Sequence, residues 1–291
     1  MTPRAHLGAL VGAIGVVAGV VGCAAVAAAA LVALGLPAQS RADDGPPSAV
    51  PEPRPDTLVV ALDLRDPVRQ AGVVKDGDVI LARGLEVEVA REIGRRIGIP
   101  RVRFVYVRPS TRVLTASAPW HLGLASIRAT PRAAALADLS DPYLGTDQAV
   151  VLRRGLAPLR VLRDLRLLRT CALRGSDGSR ALATRVAPTA PTISPLTSEP
   201  LFQLVQTGVC DAAVVAADEV GRFVAGRGAL LGPVTARVEL GGGYVVAVMR
   251  GGPVGKEEVG RALRRMRADG TMHRLARTWL GIDPSRLRLL G

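Results

Sequence analysis

An α/β fold built on a parallel sheet is what this sequence predicts, and three observations carry that expectation. Leu58-Val59-Val60-Ala61-Leu62 is a short continuous apolar run, as expected of a strand buried on both faces. Next, Leu85, Val89, Ile93 and Ile97 fall on one stripe at intervals of four. Glu88, Glu92, Arg95 and Arg96 fill the opposite face, with Glu92 one helical turn before Arg96. Residues 102–107 then alternate apolar and other side chains beyond Gly98 and Pro100, which stop the helix. Strand, helix and strand in that order argue for a crossover connection and a parallel sheet.

The remaining elements follow the same logic. Lys75-Asp76-Gly77 is a turn signal, and Val79-Ile80-Leu81 reads as a hairpin strand. Residues 112–117 read as helical and 122–127 as a strand. Residues 131–137 form a short helix, with Pro131 in the first helical position behind Thr130 as N-cap. A strand is expected at 149–152, a second α/β series from 169, a buried strand at 211–216 and a late strand at 244–249. Val259, Ala262, Leu263 and Met266 make a helical stripe that Asp269-Gly270 breaks, and 272–280 form a last helix. There is no internal repeat of solenoid period.

The N-terminus is of a different kind. Arg4 and His6 precede an apolar stretch over residues 7–36, the pattern of an export signal. Several outcomes are open. Val20-Val21-Gly22-Cys23 matches a lipobox, which makes Cys23 a lipidation candidate, although residues 24–36 stay apolar after it. The stretch is also long enough to span a bilayer uncleaved, and cleavage after Ala38 or Ala42 is the third option. Residues 1–38 are therefore read as a signal peptide or membrane anchor. Residues 39–56, polar and Pro-rich without periodicity, are read as a disordered tether. About 235 residues remain, enough for one large domain or two lobes of about 100 residues each.

Composition narrows the function. The net charge is +13, but the arginines are scattered and alternate with apolar residues. No basic run is interleaved with aromatics, so a nucleic-acid partner is not expected. His6, His121 and His273 lie far apart and there is no CxxC, so neither a metal nor a cofactor is expected. No G-x-S-x-G elbow and no dinucleotide fingerprint occurs. Residues 251–257 approach a phosphate loop but place Arg250 where its first Gly belongs and Glu257 where its Ser or Thr belongs. Enzymatic activity is therefore not expected. Three cysteines are present; with Cys23 set apart, Cys171 and Cys210 remain as a disulfide pair or as two small buried hydrophobes.

Several phrases, in order, resemble the family 3 extracellular solute-binding proteins. They are the strand ending in Asp63; Gly84-Leu85-Glu86-Val87-Glu88; Ser126-Ile127 with Thr130-Pro131-Arg132; and Asp138-Leu139-Ser140-Asp141-Pro142-Tyr143. Asp164-Leu165 with residues 171–177, then residues 204–215, and finally residues 262–271 with Trp279-Leu280-Gly281, complete the series. The resemblance implies a two-lobed type II periplasmic-binding-protein fold with two hinge strands, near residues 145–151 and 242–248. It assigns 57–145 plus 246–291 to the first lobe and 146–245 to the second. It implies a ligand in the cleft, lobes that close by a hinge motion, and no catalytic residues. It also places Cys171 and Cys210 at the start of two neighbouring parallel strands, where a disulfide is plausible.

The resemblance further implies where the ligand is held. A buried carboxylate needs an Arg fork and a buried ammonium needs a carboxylate. Gly175-Ser176 keeps the family's second-lobe loop, and Asp63 keeps the Asp of the first strand. The family's carboxylate-binding Arg falls at Ala133, with Arg132 one position early and Arg128 in place of a small hydroxyl residue. The amine-binding Asp falls at Ala216, with Asp218 two residues later, and the covering aromatic falls at Asp66. Arg112, after Thr111, resembles a turn of the acidic-amino-acid binders. The expected ligand contacts are thus Asp63, Asp66, Arg112, Arg128, Arg132, Gly175, Ser176 and Asp218.

The expected function is an extracytoplasmic, membrane-tethered, monomeric binding protein that captures a small polar solute, an amino acid, for the permease of an ABC importer. The altered site keeps open a degenerate relative acting as an envelope sensor or accessory protein. A dehydratase of prephenate-like acids, hosted by the same fold, would need a positioned general acid or base, and His121 is the one imidazole to test.

Overall fold

The computed structural model describes residues 55–114, 119–224 and 231–291. The apolar N-terminal stretch, Cys23 and most of the Pro-rich tether lie outside them. Among the described residues no helix is long and apolar enough to cross a membrane.

The first lobe opens with β1 (Thr57–Leu62), the hairpin β2 (Ala71–Lys75) and β3 (Asp78–Arg83), α1 (Leu85–Arg96) and β4 (Arg101–Tyr106). After a 3-10 turn over Ser110–Leu114 come β5 (Leu122–Arg128), α2 (Pro131–Leu136), β6 (Asp138–Leu139) and β7 (Leu144–Gly145). The apolar strand β1 pairs in parallel with β4, Thr57 opposite Arg101, and with β5, Val60 opposite Leu122. The crossover helix α1 buries Leu85, Val89 and Ile93, the stripe its spacing predicted. At α2 the Thr130 hydroxyl accepts from the Ala133 N–H at 3.1 Å, so the cap holds. The helix expected over 112–117 ends in the 3-10 turn, with 115–117 outside the described residues.

The second lobe contains β8 (Gln148–Arg153), a 3-10 segment over Leu162–Leu167, β9 (Thr170–Cys171), α3 (Asp177–Ala181), α4 (Ser198–Gln206), β10 (Ala212–Ala216), α5 (Ala217–Val224) and β11 (Leu231–Val238). Its sheet runs β11-β8-β10-β9, with β10 and β9 parallel and β8 antiparallel to both β10 and β11. The chain then returns to the first lobe as β12 (Gly243–Val248), α6 (Lys256–Ala268) and α7 (Thr271–Leu280). The first sheet is completed in the order β2-β3-β4-β1-β5-β12-β6, with β7 also on β12. Leu58, Val89, Ile93, Val248 and Leu263 belong to one buried cluster on this sheet, while Val150 and Val214 lie on one side of the second sheet and Val151 and Phe202 on the other.

The division expected from sequence needs correcting at the C-terminus. It assigned all of 246–291 to the first lobe, but the first sheet resumes at Gly243 and the last residues leave it. After Gly281 the chain crosses a third time, and β13 (Arg288–Leu289) pairs in parallel with β11. Leu290 is buried in the second lobe and its N–H donates to the Arg237 carbonyl at 2.9 Å. A two-residue edge strand has no periodicity to read, which is why sequence alone missed it. The crossings are also tied laterally: Arg237 pairs with Asp147, and the Thr146 hydroxyl donates to the Gly241 carbonyl at 3.3 Å.

The two lobes meet closely where α5 passes the end of α7. A Cβ at Gly221 would sit 1.8 Å from the Leu280 carbonyl oxygen, which is backbone and cannot yield cheaply. Gly221→Ala is expected to lower stability by about 1–3 kcal/mol through overpacking. A urea titration of the variant checks this, and an unchanged midpoint would show that the helices separate at no cost.

Candidate functional site

The site is assembled where the loop after β1 and the end of β5 face the second lobe. Asp63 is buried, and the Gln70 side-chain oxygen accepts from the N–H groups of Asp63 and Leu64 at 2.8 and 3.0 Å, which fixes the loop. Asp66 accepts from the Val68 N–H at 2.9 Å and closes the next turn. That turn sends Arg69 across to the second lobe. Its Nη1 lies 2.5 Å from Asp218, its Nη2 lies 2.9 Å from Asp66, and its guanidinium carbon is 4.8 Å from the Tyr244 ring centre. Burial works against the Arg69 charge, but Asp218, Tyr244, Asp66 and Glu86 outweigh it and hold the group protonated well above its ordinary range.

Beneath this layer lies Glu86, in the first turn of α1 and fully buried. It accepts from the Tyr143 hydroxyl at 2.6 Å, from the Ser126 hydroxyl at 2.8 Å and from the Gln70 amide. Burial raises its pKa above the usual carboxylate range, opposed by Tyr143, Arg69, Ser126 and Gln70. The network fixes Ser126 in the left-handed region, at φ +50°, on the floor of the cleft. Holding an L-residue there costs about 1–3 kcal/mol, which the surrounding hydrogen bonds must offset.

The second lobe contributes the start of α3. Gly175 adopts φ +70°, and the Ser176 hydroxyl caps the helix by accepting from the Ser179 N–H at 3.1 Å. Asp177, the first helical residue, lies 2.5 Å from Arg128 Nη2 and also pairs with Arg180. Burial pushes the Asp177 carboxyl up, but its hydrogen bond to Arg128 and the two guanidinium charges bring it below its ordinary range.

Three cavities open among these groups. One of 510 Å³ is lined by Asp63, Asp66, Arg69, Ser126, Arg128 and Tyr244, among others. One of 340 Å³ is lined on the second-lobe side by Gly175, Ser176, Asp177 and Asp218. Arg128, Glu219 and Tyr244 line both, so these two are halves of one interlobe cleft. The third, of 450 Å³, is lined by Arg112, Arg128 and Arg132 and lies within the first lobe. Of the residues expected from sequence, Asp63, Asp66, Arg128, Gly175, Ser176 and Asp218 thus line the cleft. Arg112 and Arg132 line the side pocket instead. Ala133, where the carboxylate-binding Arg would stand, has its small side chain buried in the first lobe.

Sequence reasoning missed Arg69, Glu86, Asp177, Glu219 and Tyr244. Arg69 is one of 38 basic residues and nothing local marks it. Asp177 directly follows the Gly175-Ser176 loop, and Tyr244 is one of only three tyrosines in a chain poor in aromatics, so both carried a usable signal.

Outside the cleft, Cys171 and Cys210 are joined by a disulfide with their Cα atoms 6.0 Å apart, linking the end of β9 to the chain entering β10. His121 accepts the Val59 N–H on its Nδ1 at 3.1 Å and is absent from the lining of all three cavities. Among the described residues no group of three or more His, Cys, Asp or Glu is arranged to hold a metal ion.

The family model described as bacterial extracellular solute-binding proteins, family 3, matches residues 73–282. No curated protein matches the chain in sequence. Solved structures with the same fold include the L-cystine solute receptor of Neisseria gonorrhoeae in its unliganded open conformation, at TM-score 0.65 and 18% identity over 79% of this chain and 94% of that one. Substrate-binding domain 2 of Lactococcus lactis GlnP, also open, gives TM-score 0.63 and 16% identity over 79% and 98%. An ancestral cyclohexadienyl dehydratase gives 0.62 and 18% over 78% and 93%.

Proposed function

Since this chain belongs to the bacterial extracellular solute-binding proteins, family 3, we propose that it captures a small polar solute, an amino acid, and hands it to the permease of an ABC importer. In this reading it works outside the cytoplasm as a monomer tethered to the membrane by its N-terminal segment. One observation carries the proposal: the cleft is bridged by two ion pairs of one kind, a first-lobe arginine on a second-lobe carboxylate, Arg69–Asp218 and Arg128–Asp177. A zwitterion brings one carboxylate and one ammonium. It can insert into such pairs, its carboxylate on a guanidinium and its ammonium on a carboxylate, without leaving any buried charge uncompensated. Because the partners come from different lobes, the same exchange couples binding to hinge closure.

A thermal-shift screen of the full chain against amino acids, small dicarboxylates and polyamines tests the reading. A ligand at 100-fold over its dissociation constant stabilises by about 2.7 kcal/mol, and Asp218→Asn or Arg128→Gln should weaken the hit at least about tenfold, since each removes one half of a charge-assisted contact. A second reading, an envelope sensor or accessory domain with another ligand, is favoured by the fact that the cleft's own charges already pair across the lobes. Silence across the panel from a cooperatively melting protein would select it. Dehydration of a cyclohexadienyl acid lacks support here, because His121 is not among the residues lining these three cavities.

A further inference from the structure

We infer that the solute carries an additional anionic group on a short apolar stem, and that this group is held in the side pocket of the first lobe by Arg112, Arg128 and Arg132. The inference rests on the solute-capture reading above and specifies the chemical class captured. Every residue lining the 450 Å³ pocket lies between Ser110 and Leu136, so the pocket belongs to one lobe and does not depend on closure.

Its lining differs from that of the interlobe cleft in holding no carboxylate. In the cleft each guanidinium faces a carboxylate: Arg65 faces Asp63, Arg69 faces Asp66 and Asp218, and Arg128 and Arg180 face Asp177. Such a lining suits a zwitterionic head, which brings charges of both signs. The side pocket has three arginines and no carboxylate in its lining, and of the three Arg128 is also paired with Asp177 on the cleft side. Arg132 has no hydrogen bond or ion pair among the described residues. A concave surface with one sign of charge concentrates the opposite ion and repels its own. Guanidinium forks add paired donors that match a carboxylate or phosphate.

The remaining lining fits the rest of such a group. Ser110, Thr111 and Thr130 add hydroxyls to the lining, those of Ser110 and Thr130 already accepting from Arg65 and from the Ala133 N–H. Leu114, Ile127 and Ala133, all buried, add apolar surface against which methylene groups can lie. Ser126 and Arg128 line both this pocket and the 510 Å³ half of the cleft, so the two spaces adjoin. A stem can therefore run from a head group in the cleft to an anion among the arginines.

Isothermal titration of the full chain with four probes of similar stem length tests this. L-2-aminoadipate ends in a carboxylate, O-phospho-L-homoserine in a phosphate, L-norleucine in a methyl and L-lysine in an ammonium. The expected order places at least one anionic probe about tenfold or more above norleucine, with lysine weakest, and the better of the two anionic probes identifies carboxylate or phosphate as the preferred group. Raising the salt concentration should narrow the gap between the anionic probe and norleucine, because the difference is electrostatic. Arg132→Gln, at an exposed position where folding is not at stake, should collapse that ratio toward unity. Norleucine or lysine binding as tightly as both anionic probes would overturn the inference, as would an unchanged ratio in Arg132→Gln. If no probe binds while another amino acid stabilises the protein in the thermal-shift panel, the anionic class is wrong and the solute-capture reading stands. If that panel is silent as well, both fall.

Discussion

Glu86→Ala is expected to destabilise the protein by about 3–5 kcal/mol, because it strands several buried partners at once. The carboxylate is fully buried and accepts from Tyr143, Ser126 and Gln70, groups carried by separate parts of the first lobe. Tyr143 is itself buried and loses its acceptor in the variant. Ser126 loses the bond to its hydroxyl and with it part of what holds a left-handed backbone at the cleft floor. Glu86→Gln keeps an acceptor and should cost about 2 kcal/mol or less. Solute affinity should fall with stability in Glu86→Ala, since Ser126 lines two of the three cavities.

The same residue gives a pH dependence whose sign follows from burial. The folded-state pKa of Glu86 is raised, so the folded protein binds that proton more tightly than the unfolded chain does. Its contribution is fully present below the ordinary carboxylate value and is lost as pH rises through the folded value. Urea titrations across that window should show the stability of the native protein relative to Glu86→Gln declining as pH increases. A difference that is flat, or that grows with pH, would mean that the hydrogen bonds outweigh desolvation and keep the carboxylate charged.

Reduction of the Cys171–Cys210 disulfide is the second large effect, expected at about 4 kcal/mol from the loop entropy of a 39-residue span. Both cysteines are buried, so the loss should follow denaturation in reductant or the Cys171→Ala/Cys210→Ala double variant. The bond ties β9, a two-residue edge strand paired with β10, to the chain entering β10. The segment after β9 leads to Ser176 and Asp177, so weaker solute binding should accompany the lower melting point. Reductant should have no further effect on the double variant. An unreduced native protein with two titratable thiols, or a melting point indifferent to reductant, would contradict the assignment.

Local pattern was enough for much of this architecture. The apolar run of β1, the stripe of α1 and the Thr130 cap of α2 are each set by residues within a few positions of one another. Period and turn chemistry therefore revealed them, and the ordered phrases from the strand ending in Asp63 to Gly281 indicated the two-lobed arrangement. The resemblance placed Asp63, Ser176 and Asp218 at the ligand site, and in the structure each follows a strand or opens a helix. Short elements escaped the local pattern. β13 has two residues, and β2 exposes Val73 and Val74 where an alternating strand would bury one face. These strands exist because a neighbouring edge accepts their backbone hydrogen bonds.

What the sequence by itself determined is an α/β chain of the two-lobed kind with a polar, charged cleft between the lobes. What only the tertiary structure decided is which charges meet there. Arg69 and Asp218 are 149 residues apart, and Arg128 and Asp177 are 49 apart. No periodicity links such positions, and one arginine among many carries no local mark. Their pairing is decided by the crossings at 146–147 and 239–242 and by the C-terminal return to β11, which join the two sheets. Side-chain charges on the two sheets can then interact only in the geometry that those crossings allow.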